Sequence, residues 1–139
     1  MKSHIANTLM TLMQNYRVTI RAAINANELG LNAMHVRCLH IIAVTHLCTA
    51  NDIVNRSQRD KAQIARLIKE LITLKLIEKC ASENDKRSFI LSFTNEGRAL
   101  FNKLLNAEQK INEQMCKNLT PQQVQEFQKI ASQMSDNIQ

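Results

Sequence analysis

Between Ile5 and Asn27, apolar side chains fall at Ile5, Leu9, Leu12, Met13, Tyr16, Ile20, Ala23 and Ile24. Steps of three and four place them along one stripe, and the spacing predicts a single long amphipathic helix. Gly30 can adopt the left-handed backbone that ends a helix, and Asn32 is placed to cap the next one, "AMHVRCLHIIAV". That segment is apolar on most sides, so it is expected at the centre of the fold.

Thr49 is placed to cap a short helix through Ile53 and Val54, which runs into the polar stretch "NRSQRD". A longer helix follows, with Asp60 as its cap and Gln63 three residues on to complete a capping box. Two helices joined by a tight polar turn are a helix-turn-helix. After Leu74 the period drops from 3.6 to 2: "IEK" is strand-like, and "FILSF" puts Phe89, Leu91 and Phe93 on one face. The polar stretch "ASENDKRS" between them is then the tip of a β-hairpin, and the order predicts a winged helix.

Thr94 starts another helix, with Leu100, Leu104, Ala107, Ile111, Met115 and Leu119 roughly on one side. The last segment has Thr120 as cap, Pro121 at the first helical position and Gln123 to close the box, with Leu119 and Val124 as a staple. Its apolar side is Val124, Phe127, Ile130, Ala131 and Met134. The expected fold is mainly α with a small β-hairpin wing. Residues 31–97 form the winged helix-turn-helix, and residues 1–30 and 98–139 form a helical dimerisation region. A winged helix can cover few of the apolar positions on the terminal helices, so a second copy of the chain is their expected partner.

Composition agrees with this reading: 139 residues suit one domain, and two glycines and one proline leave long helices uninterrupted. The formal charge of +6 favours an acidic partner such as nucleic acid. Between positions 56 and 79 stand Arg56, Arg59, Lys61, Arg66, Lys69, Lys75 and Lys79, opposed only by Asp60, Glu70 and Glu78. On the helix after Asp60, Ile64, Leu67, Ile68 and Leu71 share one side, while Ala62, Arg66, Lys69 and Thr73 share the other, with Arg59 and Gln63 near its start. Long donors around the small Ala62 suit close approach to base edges: Arg bonds guanine and Gln bonds adenine in the major groove.

The stretch "RLIKELITLKLIEKCASENDKRSFILSFTNEGRAL" resembles the recognition helix, wing and following helix of the MarR (multiple antibiotic resistance regulator) family of bacterial transcription factors. The family's wing reads Asp, any residue, Arg, then an apolar-Thr-x-x-Gly ending, matched by Asp85, Arg87, Phe93, Thr94 and Gly97. "LNAMHVRCL" is similar to the family's second helix, and the order of elements agrees over nearly the whole chain. Two positions depart: Lys75 stands where the family usually has Gly, and Ser57 where it prefers an apolar residue. The resemblance implies a cytoplasmic homodimer on pseudopalindromic double-stranded DNA, acting by default as a repressor. It implies Arg87 as a minor-groove finger, Asp85 orienting it by a carboxylate–guanidinium bond, and Lys86 on a phosphate.

The resemblance also implies release by a small anionic or phenolic effector, and Met13, Tyr16, Arg17, His35 and Cys38 are the candidate lining residues. Cys38, Cys48, Cys80 and Cys116 form no CxxC pair, which suits reduced thiols. Cysteine-based redox sensing is an alternative reading, with Cys80 in the first wing strand and Cys116 the more accessible thiols. His35, His40 and His46 lack metal-ligand spacing, so neither metal nor cofactor is expected. No nucleophile elbow or phosphate-binding glycine loop is present, which argues against an enzyme. No run of the roughly 18 apolar residues of a membrane span occurs. A winged-helix module that binds protein without DNA preference is the other alternative.

Overall fold

The computed structural model describes residues 4–85 and 87–139, apart from the Asn27 side chain. Helix α1 spans Ile5–Ala23, followed by the single turn α2, Ala26–Leu29. The one helix expected through Asn27 is therefore broken. Asn25 takes a left-handed φ of 54°, which Asn tolerates better than most residues, and the turn drives Ile24 and Ala26 into the core. Gly30 adopts φ 74° as expected, and α3, Ala33–Val44, follows. Its cap Asn32 accepts from the backbone N–H groups of Met34 and His35, while His35 Nδ1 accepts from the Asn32 N–H. Buried Cys38, Leu39, Ile41 and Ile42 make α3 the central helix that its apolar pattern predicts.

Helix α4, Ala50–Ser57, has the capping box of Thr49, closed by Asp52. It ends on Gln58 in the left-handed conformation, whose N–H bonds back to Val54, and this gives the tight turn into α5, Lys61–Thr73. Asp60 has the extended backbone of a cap, yet its carboxylate makes no capping bond and stays exposed, so the box expected with Gln63 is not formed. Strands β1, Ile77–Ala81, and β2, Phe89–Phe93, pair antiparallel with Ile77 opposite Phe93 and Ala81 opposite Phe89. Leu91 buries while its N–H bonds the carbonyl of Cys48, which ties the wing to the loop before α4. Phe93 stacks on Phe101, but Phe89 near the tip is exposed, with the Lys79 ammonium 5.3 Å from its ring centre.

Helix α6 spans Asn95–Met115 and α7 spans Pro121–Asn137, each with the Thr cap expected for it. The two join the rest of the protein very differently. Helix α6 packs on α1 and buries Phe101, Leu104 and Ile111, whereas α7 buries none of its residues. The seat of α6 is the turn that follows α5. Thr94 donates from its N–H to Leu76 O and from its hydroxyl to Lys75 O, at 3.1 and 2.6 Å. Its hydroxyl also accepts from Gly97 N–H at 3.0 Å.

Lys75 has φ 62°, a conformation that costs a side-chain-bearing residue about 1–2 kcal/mol, which explains why glycine is the relaxed choice there. Gly97 is held by contact instead of by dihedral: a Cβ there would lie 1.8 Å from the Leu76 carbonyl oxygen. Gly97→Ala is accordingly expected to cost about 3 kcal/mol or more, because backbone on both sides has to part, and urea unfolding would measure it.

Candidate nucleic-acid interface

The inner stripe of α5 anchors it: Ile64, Leu67, Ile68 and Leu71 are buried. Its other side presents Lys61, Ala62, Arg66 and Lys69 to solvent, with Gln63 half-buried. Arg56 at the end of α4 and Arg59 in the turn are exposed beside them. All seven candidate positions of the helix-turn-helix thus reach solvent, Gln63 in part. Arg66 is the one whose partner is defined there, since its Nε lies 3.5 Å from Glu70 Oε1.

The wing extends this basic surface. An open groove of about 510 Å³ between α4, α5 and the hairpin is lined by Lys61, Lys79 and Arg87 together with Thr49, Asn51 and Ser88. The tip is built by backbone bonds: Ser82 Oγ accepts from the N–H of Asn84 and of Asp85, and Ser88 N–H donates to Asp85 O. Asp85 plays a different part from the expected guanidinium bond. Its carboxylate accepts from the Arg87 N–H at 2.9 Å and from the Ser88 hydroxyl at 3.1 Å, and among the described residues no ion pair joins it to Arg87. A two-residue Asp-to-backbone bond satisfies the turn locally, and the Arg87 side chain stays exposed. Lys86 lies outside the described residues.

A second feature lies on the far side of α3. A cleft of about 410 Å³ is lined by Tyr16, Arg17, Ile20 and Arg21 of α1, by Ala33, Val36, Arg37 and His40 of α3, and by Glu108 of α6. Three arginines and one glutamate thus line the cleft, and the Glu108 carboxylate bonds His40 Nε2 at 2.6 Å. Burial and the nearby Glu108 charge push the Tyr16 phenol above its usual range, so it stays a neutral hydroxyl. Of the effector residues named from sequence, Tyr16 and Arg17 line this cleft. Met13 lies a turn away on α1, while His35 and Cys38 point into the core. Arg37, His40 and Glu108 were missed because Glu108 reaches α3 from 68 residues along the chain, a distance no local pattern spans.

The cysteines divide by environment. Burial pushes the Cys38 and Cys48 thiols up to about 11, with the Asp52 carboxylate adding to the effect at Cys48. Neither meets the low-pKa requirement of a sensor thiol. Cys80 is exposed, with its Sγ 3.8 Å from Ser92 Oγ, and Cys116 is half-buried. Among the described residues no group of His, Cys, Asp and Glu could hold a metal ion, and no helix is long and apolar enough to cross a membrane. In the unfolded chain both buried thiols ionise near 9 and in the folded protein near 11. Stability is therefore full below pH 9 and is expected to fall as pH rises from 9 to 11, measurable as a falling urea midpoint.

Comparison with known proteins agrees with the geometry. A sequence profile described as MarR family matches residues 29–88. Among solved structures, a MarR protein from Peptoclostridium difficile superposes with a TM-score of 0.81 at 24% identity, over 99% of this chain and 89% of that one. A mutant MarR from E. coli complexed with operator DNA has a TM-score of 0.78 at 18% identity, over 94% and 92% of the two chains. Bordetella bronchiseptica BpsR, whose DNA binding is regulated by 6-hydroxynicotinic acid, has a TM-score of 0.77 at 21% identity, over 96% and 94%. No curated protein matches by sequence. The resemblance read from the wing motif is thereby borne out: residues 29–88 match the MarR family model, and the chain has the fold of solved MarR structures over nearly its whole length.

Proposed function

We propose that this protein is a sequence-specific regulator of transcription, a repressor in the cytoplasm, that binds pseudopalindromic duplex DNA as a homodimer. The observation that carries the reading is the groove between α5 and the wing that Lys61, Lys79 and Arg87 line together, with Arg56, Arg59, Arg66 and Lys69 also exposed on the helix-turn-helix. In this reading α5 lies in the major groove, Ala62 permits close approach, and Gln63, Arg66 and Lys69 supply donors. Arg87 enters the flanking minor groove, and Asp85 fixes the backbone from which it springs.

Residues 31–97 are the reading head, and residues 1–30 with 98–139 are the dimerisation region. The exposure of Ile5 and Leu9 on α1 and of Phe127, Ile130 and Met134 on α7 supports that division, because unpartnered apolar faces of this size call for a second copy.

The cleft beside α3 suits a small anionic aromatic effector. Its volume fits one ring with a carboxylate, guanidiniums pair with the carboxylate, and the neutral Tyr16 hydroxyl donates. The BpsR relative, regulated by an aromatic carboxylic acid, supports the ligand class.

Selection of bound duplexes from random sequence tests the main reading. Sedimentation is expected to find two chains per selected site, and affinity to fall steeply with salt. Arg87→Ala is expected to weaken binding by about 1–3 kcal/mol; an unchanged gel-shift titration removes Arg87 from the interface. For the effector, a panel of benzoate, salicylate and hydroxynicotinate is expected to release wild-type protein from its site. Arg37→Ala is expected to respond less, and a panel without any effect defeats the assignment of the cleft.

A further inference from the structure

The exposed Arg66 is tied to the core by a chain of two hydrogen bonds and one ion pair. It begins at the start of α3, where the Asn32 N–H donates to His35 Nδ1 at 3.0 Å. Because Nδ1 is an acceptor there, the neutral ring carries its proton on Nε2. Nε2 then donates to Glu70 Oε2 at 3.1 Å, from a side chain that is 2% exposed. The other carboxylate oxygen, Oε1, faces Arg66 Nε at 3.5 Å. His35 is the one buried polar or charged residue of the core among the described residues, and both of its nitrogens are committed to this chain.

The arrangement has a chemical consequence for Arg66. With the Glu70 carboxylate at ion-pair distance on its Nε side, the guanidinium presents its two terminal nitrogens outward, and these match the N7 and O6 acceptors of guanine end-on. A free arginine on the same helix would also take phosphate oxygens, which carry no sequence information. The Glu70 charge opposes that use, since it disfavours phosphate close to the guanidinium. We propose that Glu70, held by His35, is a positioning residue that commits Arg66 to reading a guanine in the major groove.

This inference rests on the DNA-binding reading, and its test separates the two. Wild-type protein, Arg66→Ala, Glu70→Ala and His35→Gln are titrated against the selected duplex, against base-pair substitutions of it, and against a scrambled duplex. Glu70 is 43% exposed, so its truncation opens no cavity in the core, and a melting curve measures the cost of the His35 nitrogen it leaves unpaired. Gln at 35 can still accept from the Asn32 N–H, but its flexible amide replaces the rigid imidazole and so holds Glu70 less firmly.

One base pair is expected to lose its penalty in Arg66→Ala. At that pair Glu70→Ala is expected to lose about tenfold in discrimination, the worth of a bidentate base contact, and His35→Gln a smaller part of it. Scrambled-duplex affinity is expected to hold or tighten in Glu70→Ala, which a purely structural role of Glu70 would not produce. The Arg66→Ala/Glu70→Ala double variant is expected to discriminate no worse than Arg66→Ala alone. Wild-type discrimination retained in both Glu70→Ala and His35→Gln overturns the inference and leaves the DNA-binding reading standing. So does a further loss from Glu70→Ala when Arg66 is already absent. A wild-type chain with no base preference overturns both.

Discussion

The carbonyl group of Leu76 is where the parts of this molecule are joined. It accepts from the Thr94 N–H at one end of the hairpin, and Gly97 of α6 lies against it with no room for a methyl group. The neighbouring Lys75 carbonyl accepts the Thr94 hydroxyl. One turn of backbone therefore fixes the end of α5, the base of the wing and the start of α6 together. Because α6 runs on to pack against α1, the same contact sets how the apolar terminal helices stand relative to the basic surface. Its close backbone approach explains why the wing motif ends in Thr-x-x-Gly, with the hydroxyl as both cap and clamp and the glycine as clearance.

Much of this was legible in the sequence because it is local. Thr49, Thr94 and Thr120 cap helices within three residues of themselves, and the change of period after Leu74 marks the hairpin unaided. Local signals also mislead where a longer-range demand outweighs them. The apolar stripe of α1 runs unbroken through Ile24, yet Asn25 turns left-handed and Ile24 and Ala26 bury. Asp60 followed by Gln63 reads as a capping box, yet the carboxylate stays in solvent.

The site residues divide in the same way. Arg66 and Lys69 could be assigned to the outward face of α5 from the 100° step alone, because the buried Ile64, Leu67, Ile68 and Leu71 fix the orientation. Asp85 was given the right neighbour but the wrong atom, since a side chain two residues away reaches backbone more readily than guanidinium. Pairs such as His40 with Glu108 and His35 with Glu70 depend on how whole helices cross. Sequence placed His35 beside an effector because the first two helices were expected to meet the reading head there, whereas its ring spans the gap between α3 and α5.

That ring also shows how a weak surface pair can acquire a fixed geometry. An exposed Arg–Glu pair one helical turn apart is worth about 0.3–0.5 kcal/mol, too little to hold two long side chains in one arrangement. Leaving a buried polar atom unsatisfied costs about 1–3 kcal/mol, several times more. The His35 ring lies between these magnitudes and solvent: turning it over would take Nδ1 from the Asn32 N–H and Nε2 from Glu70 at once. The larger penalty therefore holds the ring, the ring holds one oxygen of Glu70, and the other oxygen meets Arg66 from a defined direction. Order in the core thus reaches an exposed guanidinium through an ion pair that would be negligible by itself.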